Sequence, residues 1–348
     1  ADDVKGTDAP LVGRNAELAV MLDRWEAALA GQGQLVLLSG EAGIGKSRIA
    51  QALAETAPGM AAQVVWQCSP YHADTALHPA IQQIARSVSV EPDDEDAVKL
   101  DRLEALLAEG GVAEDAAPQL LAALLGLDGV ARYGALDLTA ARQRALTLEA
   151  LIAWLEGLAK QGPVLWMLED AHWIDPTTLE LVDLALERIA ASRVLALVTA
   201  RPTFSHGFGG HPIVTRLSLN RLGREAVASV IGRITGGKPL PAAVMEEIAA
   251  RTDGVPLYVE EMTKAVLESD ALRETATEWL LDGPIDRLAI PSSLHDSLMA
   301  RLDRLQPVKD VAQTAAVIGR AFDHATLAAL SPLRPDELQA ALDRLVAA

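Results

Sequence analysis

The sequence predicts an α/β fold in which a parallel β-sheet is flanked by helices and followed by further helical segments. Short runs rich in Val, Leu and Ile, each bounded by turn residues, are typical of buried parallel strands, and long helical patterns separate them. Half of the residues are hydrophobic but only 3% are aromatic, so aliphatic side chains are expected to fill the core. Strands that alternate with helices imply right-handed crossovers and a sheet covered on both faces.

Five runs have the composition expected of the strands in this sheet. In chain order they are residues 35–39, 62–68, 164–168, 193–199 and 213–219. A helix should follow the third strand, because Asp175 can serve as its N-cap and Pro176 is favoured in a first helical turn. The gap between the second and third strands is far longer than one crossover helix needs, and its periodic apolar stretches indicate a helical insertion at about 69–160.

The length of 348 residues allows two to three domains at roughly 150 residues each, and the strand signals end near residue 220. We therefore expect a core at 1–220, an all-helical lid at 221–282 and a winged-helix-like domain at 283–348, which stops inside a helical pattern as if truncated. The last segment holds seven Lys and Arg against eight Asp and Glu. This balance favours a packing module, with DNA binding through this part as the alternative.

The charge balance and the single cysteine narrow the classes of partner and compartment. The net charge of -18 repels phosphate backbones and anionic lipid head groups, so neither nucleic acid nor a membrane is an expected partner. No apolar run approaches the roughly 18 residues that span a bilayer, and residues 1–10 lack the pattern of a signal peptide. Cys68 is the only cysteine, which excludes an intrachain disulfide and predicts a reducing, cytoplasmic compartment.

An octapeptide directly after the first strand has the pattern of a phosphate-binding loop. It matches G-x-x-x-x-G-K-[ST] and reads Gly40-Glu41-Ala42-Gly43-Ile44-Gly45-Lys46-Ser47. The glycines let backbone N–H groups converge on phosphates at a helix N-terminus, where Lys46 neutralises their charge and the Ser47 hydroxyl ligates Mg²⁺. Arg48, the next residue, is also expected to contribute to nucleotide binding. The sequence thus predicts a P-loop NTPase fold that binds the phosphates of a nucleotide together with Mg²⁺.

Acidic and basic side chains follow the next strands of the predicted sheet. The run VLWML at 164–168 ends in Glu169 and Asp170, and such a strand-end acid is what an Mg-nucleotide site of this class requires. We assign Glu169 to the metal ion and Asp170 to polarising the attacking water. The following strand ends in Thr199 and, after Ala200, Arg201, which is either a sensor of the γ-phosphate or a solvated loop arginine.

With these features the chain resembles the STAND branch of P-loop ATPases, the signal-transducing relatives of AAA+ proteins. The resemblance is strongest to the ATPase modules attached to bacterial class III adenylate/guanylate cyclases and to LuxR-type transcriptional regulators. Beyond the loop, the matching segments are LVGRNAE at 11–17, EDAHWID at 169–175 and DGVPLYVEE at 253–261.

The resemblance also implies roles for residues outside the phosphate-binding loop. Val12, Gly13 and Arg14 would lie over the adenine, and the G-x-P formed by Gly254 and Pro256 would pack its proline on the base. Glu169 stands where many members have Asp, so hydrolysis is expected to be slow. In the family a His or Arg in the lid or winged-helix region reads the phosphate; His295 and His324 are both candidates for this role.

The resemblance also implies a function as a molecular switch. Exchange of ADP for ATP would rearrange the C-terminal part, and thereby release an effector, such as a cyclase or a transcriptional output, or assemble a homo-oligomer. An AAA+ remodelling motor is the alternative, and it would need an arginine finger; Arg216, Arg221 and Arg224 are the nearby arginines. A small-molecule kinase would need an acceptor-binding motif, and the sequence shows none.

Overall fold

The computed structural model describes residues 11–88, 94–112, 116–269, 271–283, 308–318 and 323–347. The chain forms two compact units that divide between Asn220 and Arg221. The first unit contains a parallel sheet with helices on both faces, and the second is mainly helical. His295 and much of the predicted winged-helix-like domain lie outside the described residues.

The sheet of the first unit has five parallel strands in the order β2-β3-β4-β1-β5. The strands are β1 Gln34–Ser39, β2 Ala62–Gln67, β3 Val164–Glu169, β4 Val194–Ala200 and β5 Val214–Ser218. This sheet confirms the α/β fold predicted from the sequence. Strand β4 separates β1 from β3, so the segments that follow these two strands leave the same edge of the sheet about two strand spacings, or roughly 10 Å, apart.

Eight helices surround this sheet within the described part of the first unit. They are α1 Asn15–Leu29, α2 Lys46–Thr56, α3 His78–Ser87, α4 Asp96–Glu109, α5 Ala117–Leu124, α6 Val130–Tyr133, α7 Ala140–Gln161 and α8 Pro176–Ile189. The long connection between β2 and β3 therefore consists of helices α3 to α7. In α7, Gly157 meets Gly110, whose carbonyl oxygen would lie 1.4 Å from a Cβ atom at position 157.

The core lies on both faces of the sheet because successive side chains of a strand point to opposite faces. Val36 and Leu38 pack in one cluster with Trp25 of α1 and with residues of α2. Leu35 and Leu37 belong to the other cluster, which includes residues of α3, α7 and α8. Burial on both faces explains why the strands read as continuous apolar runs.

Helix α8 begins at the position that the sequence predicts. The Asp175 carboxylate accepts hydrogen bonds from the backbone N–H groups of Thr177 and Thr178, at 3.0 and 2.9 Å, and Pro176 occupies the first turn. Asp175 is buried and also accepts from the N–H of Leu77, at 3.3 Å. One carboxylate therefore caps α8 and ties it to the segment that leads into α3.

The second unit contains three helices followed by a short hairpin and three more helices in its described part. These elements are α9 Arg224–Ile234, α10 Ala242–Thr252, α11 Pro256–Leu267, β6 Leu272–Glu274, β7 Trp279–Leu281, α12 Val308–Ile318, α13 His324–Leu330 and α14 Pro335–Ala347. The antiparallel pair β6–β7 is an addition to the all-helical lid expected from the sequence. Three-residue strands are too short to show the alternation that identifies a strand.

The last three helices share a small apolar cluster that includes Val308, Val311, Leu327 and Leu338. Their identification as a winged-helix-like domain stays a prediction, because residues 284–307, which precede them, and 319–322, which join the first two, are not described. Across the described residues, no helix is both long and apolar enough to cross a membrane.

Candidate functional site

The loop between β1 and α2 has the backbone geometry of an anion-binding cradle. The N–H of Gly40 donates to the carbonyl of Ala200, at 3.1 Å, which fixes the start of the loop against β4. Gly45 caps α2 at φ +100°, a conformation that residues with a Cβ atom rarely adopt. Helix α2 starts at Lys46, so the N–H groups of its first turn lack intrahelical acceptors and are available to phosphate oxygens.

The ammonium group of Lys46 rests on the loop itself. Its Nζ donates to the carbonyl oxygens of Gly40 and Glu41, both at 2.9 Å. Burial lowers the pKa of Lys46, the charge of Asp170 raises it, and that of Arg201 lowers it. Asp170 and Arg201 therefore both lie within electrostatic reach of Lys46, although Arg201 is 155 positions away from it in the sequence.

The remaining loop residues divide into anchors and exposed positions. Ile44 is buried in the cluster that covers one face of the sheet, and this holds the loop in place. Glu41, Ala42 and Ser47 are exposed, and Arg48 is half-buried. The Ser47 hydroxyl is therefore accessible at the start of α2, where a metal ion bound to phosphates would need it.

The acidic pair lies at the carboxyl edge of the same sheet. Glu169 is the last residue of β3, and burial together with the charge of Asp170 raises its pKa. Asp170 adopts a left-handed conformation at φ 54°, and its N–H donates to the Thr199 hydroxyl at 3.0 Å. Its Oδ2 accepts a hydrogen bond from Gln67 Nε2, at 3.3 Å. Three strands thus contribute to the placement of one carboxylate.

Thr199 and Arg201 differ in what they face. Thr199 is buried in β4, and its hydroxyl accepts the hydrogen bond from Asp170. Arg201 is exposed just after β4, and its charge acts on both Lys46 and His172. The structure therefore brings Arg201 to the site, and its use as a phosphate sensor stays a prediction.

Arg14 ties the N-terminal segment to the phosphate loop. Its guanidinium is buried and donates to the carbonyl oxygens of Ile44 and Asn220, at 3.1 and 2.6 Å, and it pairs with Glu17 at 3.2 Å. Instead of facing open solvent, Arg14 braces the loop and the end of the fifth strand. The resemblance assigned Val12, Gly13 and Arg14 to the nucleotide, and this contact stays a prediction.

Gly254 and Pro256 form a tight connection between α10 and α11 in the second unit. Gly254 has φ +72°, and a Cβ atom there would lie 2.4 Å from the carbonyl oxygen of Leu222. The N–H of Leu222 donates to the carbonyl of Gly254, at 2.8 Å, and Pro256 starts α11. The close backbone approach explains the glycine, whereas the contact of Pro256 with a base stays a prediction.

His324 starts α13 and is exposed.

Sequence reasoning missed two residues of the site, Gln67 and His172. Gln67 ends β2, so its place at a strand end was the signal that could have indicated it. His172 lies in the short turn after β3; its side chain is 8% exposed and its Nδ1 is 4.0 Å from Asp170 Oδ1. Burial lowers its pKa, Asp170 raises it, and Arg201 and Lys46 lower it.

The donor set fits a metal ion that arrives with a nucleotide. Among the described residues, no three His, Cys, Asp or Glu side chains form a group that could hold a metal ion. Mg²⁺ commonly takes only one or two protein ligands and completes its shell with phosphate oxygens and water. Ser47 and Glu169 suit this requirement by residue type and by their places at the loop and at the end of β3.

Cys68 lies one residue beyond β2, near this edge. Its side chain is buried, and burial together with the charges of Asp175 and Asp170 raises the pKa of the thiol to about 12. The thiol is therefore protonated and unreactive at neutral pH. Cys68 therefore packs as a small hydrophobic residue.

The chain is similar in sequence to a known protein family and to one curated protein. A family model described as the AAA ATPase domain matches residues 10–198. An uncharacterised protein of Rhizobium meliloti (strain 1021) is 30% identical over 344 residues, which are 96% of the chain and 32% of that protein. The chain therefore spans about a third of the length of this curated relative.

Solved structures of two ATPases are similar over most of the chain. A STAND protein with a tetratricopeptide repeat sensor from Pyrococcus horikoshii is 16% identical with a TM-score of 0.47, covering 98% of this chain and 40% of that one. The FIGL-1 AAA domain in complex with ADP is 11% identical with a TM-score of 0.42, covering 92% and 87%.

Proposed function

The chain belongs to the AAA ATPase domain family, and from this premise we propose that its first unit binds ATP or ADP with Mg²⁺ and hydrolyses ATP slowly, as a molecular switch. The observation that carries the proposal is the convergence of Lys46, Asp170 and Arg201 at the end of the loop between β1 and α2. A cradle of N–H donors, a buried ammonium, a carboxylate and a guanidinium at one sheet edge are the groups that phosphoryl transfer requires.

Each group has a distinct part in the proposed reaction. The first-turn N–H groups of α2 and the Lys46 ammonium bind the phosphates. Ser47 and Glu169 would hold Mg²⁺, which would supply neutralisation of phosphate charge. Asp170 accepts the proton of a water whose oxygen attacks the γ-phosphorus. The bond to the β–γ bridging oxygen breaks, giving ADP and phosphate. Arg201 offsets the negative charge that develops on the transferred group.

The hydrogen bonds and the burial of Lys46 support nucleotide binding more strongly than they support hydrolysis. Its ammonium already donates to two loop carbonyls and is largely desolvated, so a phosphate that replaces these acceptors meets a charge already stripped of water. By contrast, the longer side chain of Glu169 and its raised pKa disfavour a permanently charged metal ligand. Tight nucleotide binding with slow turnover is the expected outcome, and it suits a switch.

The switch would act on segments outside the described residues or on other proteins. A curated relative is about three times as long as the match, which leaves room for an effector such as a cyclase or a transcriptional output. The proposal also includes an ATP-dependent homo-oligomer. It includes the roles that the resemblance implies for Gly254, Pro256 and His324. The motor alternative is less favoured, because Arg216 donates to the Gly207 carbonyl at 2.7 Å and Arg221 pairs with Asp253.

Titration calorimetry with purified protein tests nucleotide binding directly. We expect saturable heat for both ADP and ATP in the presence of Mg²⁺, and phosphate release at well below the roughly 10 per second typical of enzymes. Mass spectrometry of the heat-denatured protein would identify a nucleotide that copurifies. Absence of heat with nucleotide-free, folded protein would contradict the proposal, and turnover that rises steeply with protein concentration would favour a motor.

A further inference from the structure

His172 is a buried side chain whose hydrogen-bonding groups are unused in this structure. Neither ring nitrogen has a hydrogen-bond partner in the part of the chain that the structure describes, and both nitrogens are shielded from solvent. Its side chain is only 8% exposed. Buried polar groups in folded proteins are nearly always paired, so an unpaired buried imidazole requires an explanation.

The turn after β3 directs His172 back toward Asp170. The N–H of Trp173 donates to the carbonyl of Asp170, at 2.9 Å, and this closes a single 3-10 turn at Ala171–Trp173. The His172 Nδ1 consequently lies 4.0 Å from Asp170 Oδ1. This distance is too long for a hydrogen bond, but a small rotation of the Asp170 side chain would close it.

Three of the four polar groups of Asp170 are already engaged, the carbonyl by the N–H of Trp173. Its N–H donates to Thr199, and its Oδ2 accepts from Gln67. Oδ1 is the oxygen that faces His172. In structures without substrate, hydrogen bonds of catalytic groups are often long and tighten when the reacting complex forms.

We propose that His172 is a positioning residue for Asp170: its Nδ1–H donates to Asp170 Oδ1 in the nucleotide-bound state and orients the carboxylate toward the attacking water. The expected effect on ATP hydrolysis rests on the proposed ATPase function, whereas the hydrogen bond between His172 and Asp170 does not depend on it. A neutral imidazole suits this task, since it carries one N–H donor and one acceptor and adds no charge beside Lys46 and Arg201.

Two substitutions separate hydrogen bonding from packing. His172→Gln retains an N–H donor, whereas His172→Phe retains a flat ring and removes both nitrogens. We expect His172→Phe to lower kcat for ATP about tenfold or more, as part of the roughly 10²–10⁴-fold that positioned proton transfer contributes. KM, ADP affinity and the unfolding midpoint should change little, and His172→Gln should restore most of kcat.

His206 supplies the matched control. Its Nε2 lies 2.9 Å from Asp183 Oδ1, so it forms another His–Asp pair in the same unit, which the proposed reaction does not use. His206→Phe is expected to leave kcat unchanged. Equal loss of kcat in His172→Phe and His172→Gln, or loss that follows the unfolding midpoint, would assign His172 to packing and overturn the proposal.

The hydrogen bond between His172 and Asp170 can also be tested by NMR spectroscopy, without any ATP hydrolysis. In protein with ¹⁵N-labelled histidine, long-range ¹H–¹⁵N spectra report which ring nitrogen carries the proton, and His172→Gln identifies the His172 signals. With ADP and Mg²⁺ bound, we expect the proton on Nδ1, and Asp170→Asn should shift the Nδ1 resonance. An unchanged resonance in Asp170→Asn overturns the pairing. A wild-type protein that binds but never hydrolyses ATP overturns the ATPase proposal alone.

Discussion

The backbone N–H of Asp170 donates to the hydroxyl of Thr199, at 3.0 Å, across the neighbouring strands β3 and β4. This bond holds Asp170 in a left-handed conformation, which residues with a Cβ atom adopt only when their surroundings require it. The hydroxyl that sequence analysis noted at the end of the fourth strand therefore fixes the backbone of the acid at the end of the third. It also links the two strands at the edge where the phosphates would bind.

Thr199→Val removes this acceptor while keeping the shape of the side chain. The N–H of Asp170 would lose its partner at a cost of about 1–3 kcal/mol, and the carboxylate would lose its fixed orientation. We expect kcat for ATP to fall about tenfold with ADP affinity unchanged, measured by phosphate release and calorimetry. Thr263→Val, which changes another buried threonine, is the control. An undiminished kcat in Thr199→Val would contradict the assigned role.

Lys46→Ala tests the phosphate loop. Loss of a charge-assisted hydrogen bond worth about 1.5–3 kcal/mol should weaken ATP and ADP binding roughly 10- to 100-fold. Lys160→Ala, at an exposed position in α7, should leave the affinity unchanged. Calorimetry of both variants measures the difference, and equal affinities for Lys46→Ala and the wild type would remove Lys46 from the site.

Asp175→Ala tests the cap that the sequence predicts. The variant loses the acceptor for two α8 N–H groups and leaves the Leu77 N–H without its carboxylate. Loss of an N-cap costs about 1 kcal/mol and a buried unpaired donor about 1–3 kcal/mol, so we expect about 2–4 kcal/mol of destabilisation. Urea unfolding followed by tryptophan fluorescence measures it. The exposed N-cap variant Asp323→Ala should cost less.

Gly157→Ala tests the contact between α7 and the segment after α4. A Cβ atom at 157 would overlap the Gly110 carbonyl, so the helices must separate, and we expect a loss of about 1–3 kcal/mol. The same change at Gly232, in helix α9, meets no atom within 4 Å and should stabilise the chain by roughly 0.5–1 kcal/mol. Opposite signs in urea unfolding would confirm the contact; a neutral Gly157→Ala would argue against it.

Glu169→Gln tests the burial of the acid at the end of β3 through the pH dependence of stability. The pKa of Glu169 is raised in the folded chain, so ionisation penalises the folded state. The penalty is absent below the ordinary pKa of 4.5 and grows as the pH rises through the raised folded value. Without nucleotide, Glu169→Gln should therefore be more stable than the wild type at about pH 8 and similar at about pH 4.

The matched control for this pH profile is Glu149→Gln, at an exposed position of α7. Urea unfolding at both pH values supplies the free energies, and the control should follow the wild type at each. A Glu169→Gln variant no more stable than the wild type at about pH 8 would show that the carboxyl is not penalised.

The sequence predicted those features that repeat along the chain or obey a fixed local pattern. Continuous apolar runs predicted the five parallel strands, since a doubly covered sheet buries both of its faces. The start of α8 followed from Asp175 and Pro176, whose preferences at helix starts are local. The G-x-x-x-x-G-K-[ST] pattern placed a loop between a strand and a helix, where the structure has it.

What the sequence could not give depends on contacts between distant residues. The burial of Arg14 against Ile44 and Asn220 joins positions 206 residues apart, and no local pattern encodes that pairing. The approach of His172 to Asp170 depends on one turn geometry. The hairpin β6–β7 was not predicted because each strand has only three residues, too few to show the apolar–polar alternation of a strand.

The burial of the single thiol, that of Cys68, has a practical consequence for measurement. Maleimide dyes attack thiolates, and Cys68 offers neither access nor ionisation at neutral pH, so the native chain should remain unlabelled. Cysteines introduced at exposed positions such as Glu187 and Glu225, one in each unit, would then be the sole attachment points. Energy transfer between donor and acceptor fluorophores could follow nucleotide exchange in single molecules without first deleting the natural cysteine.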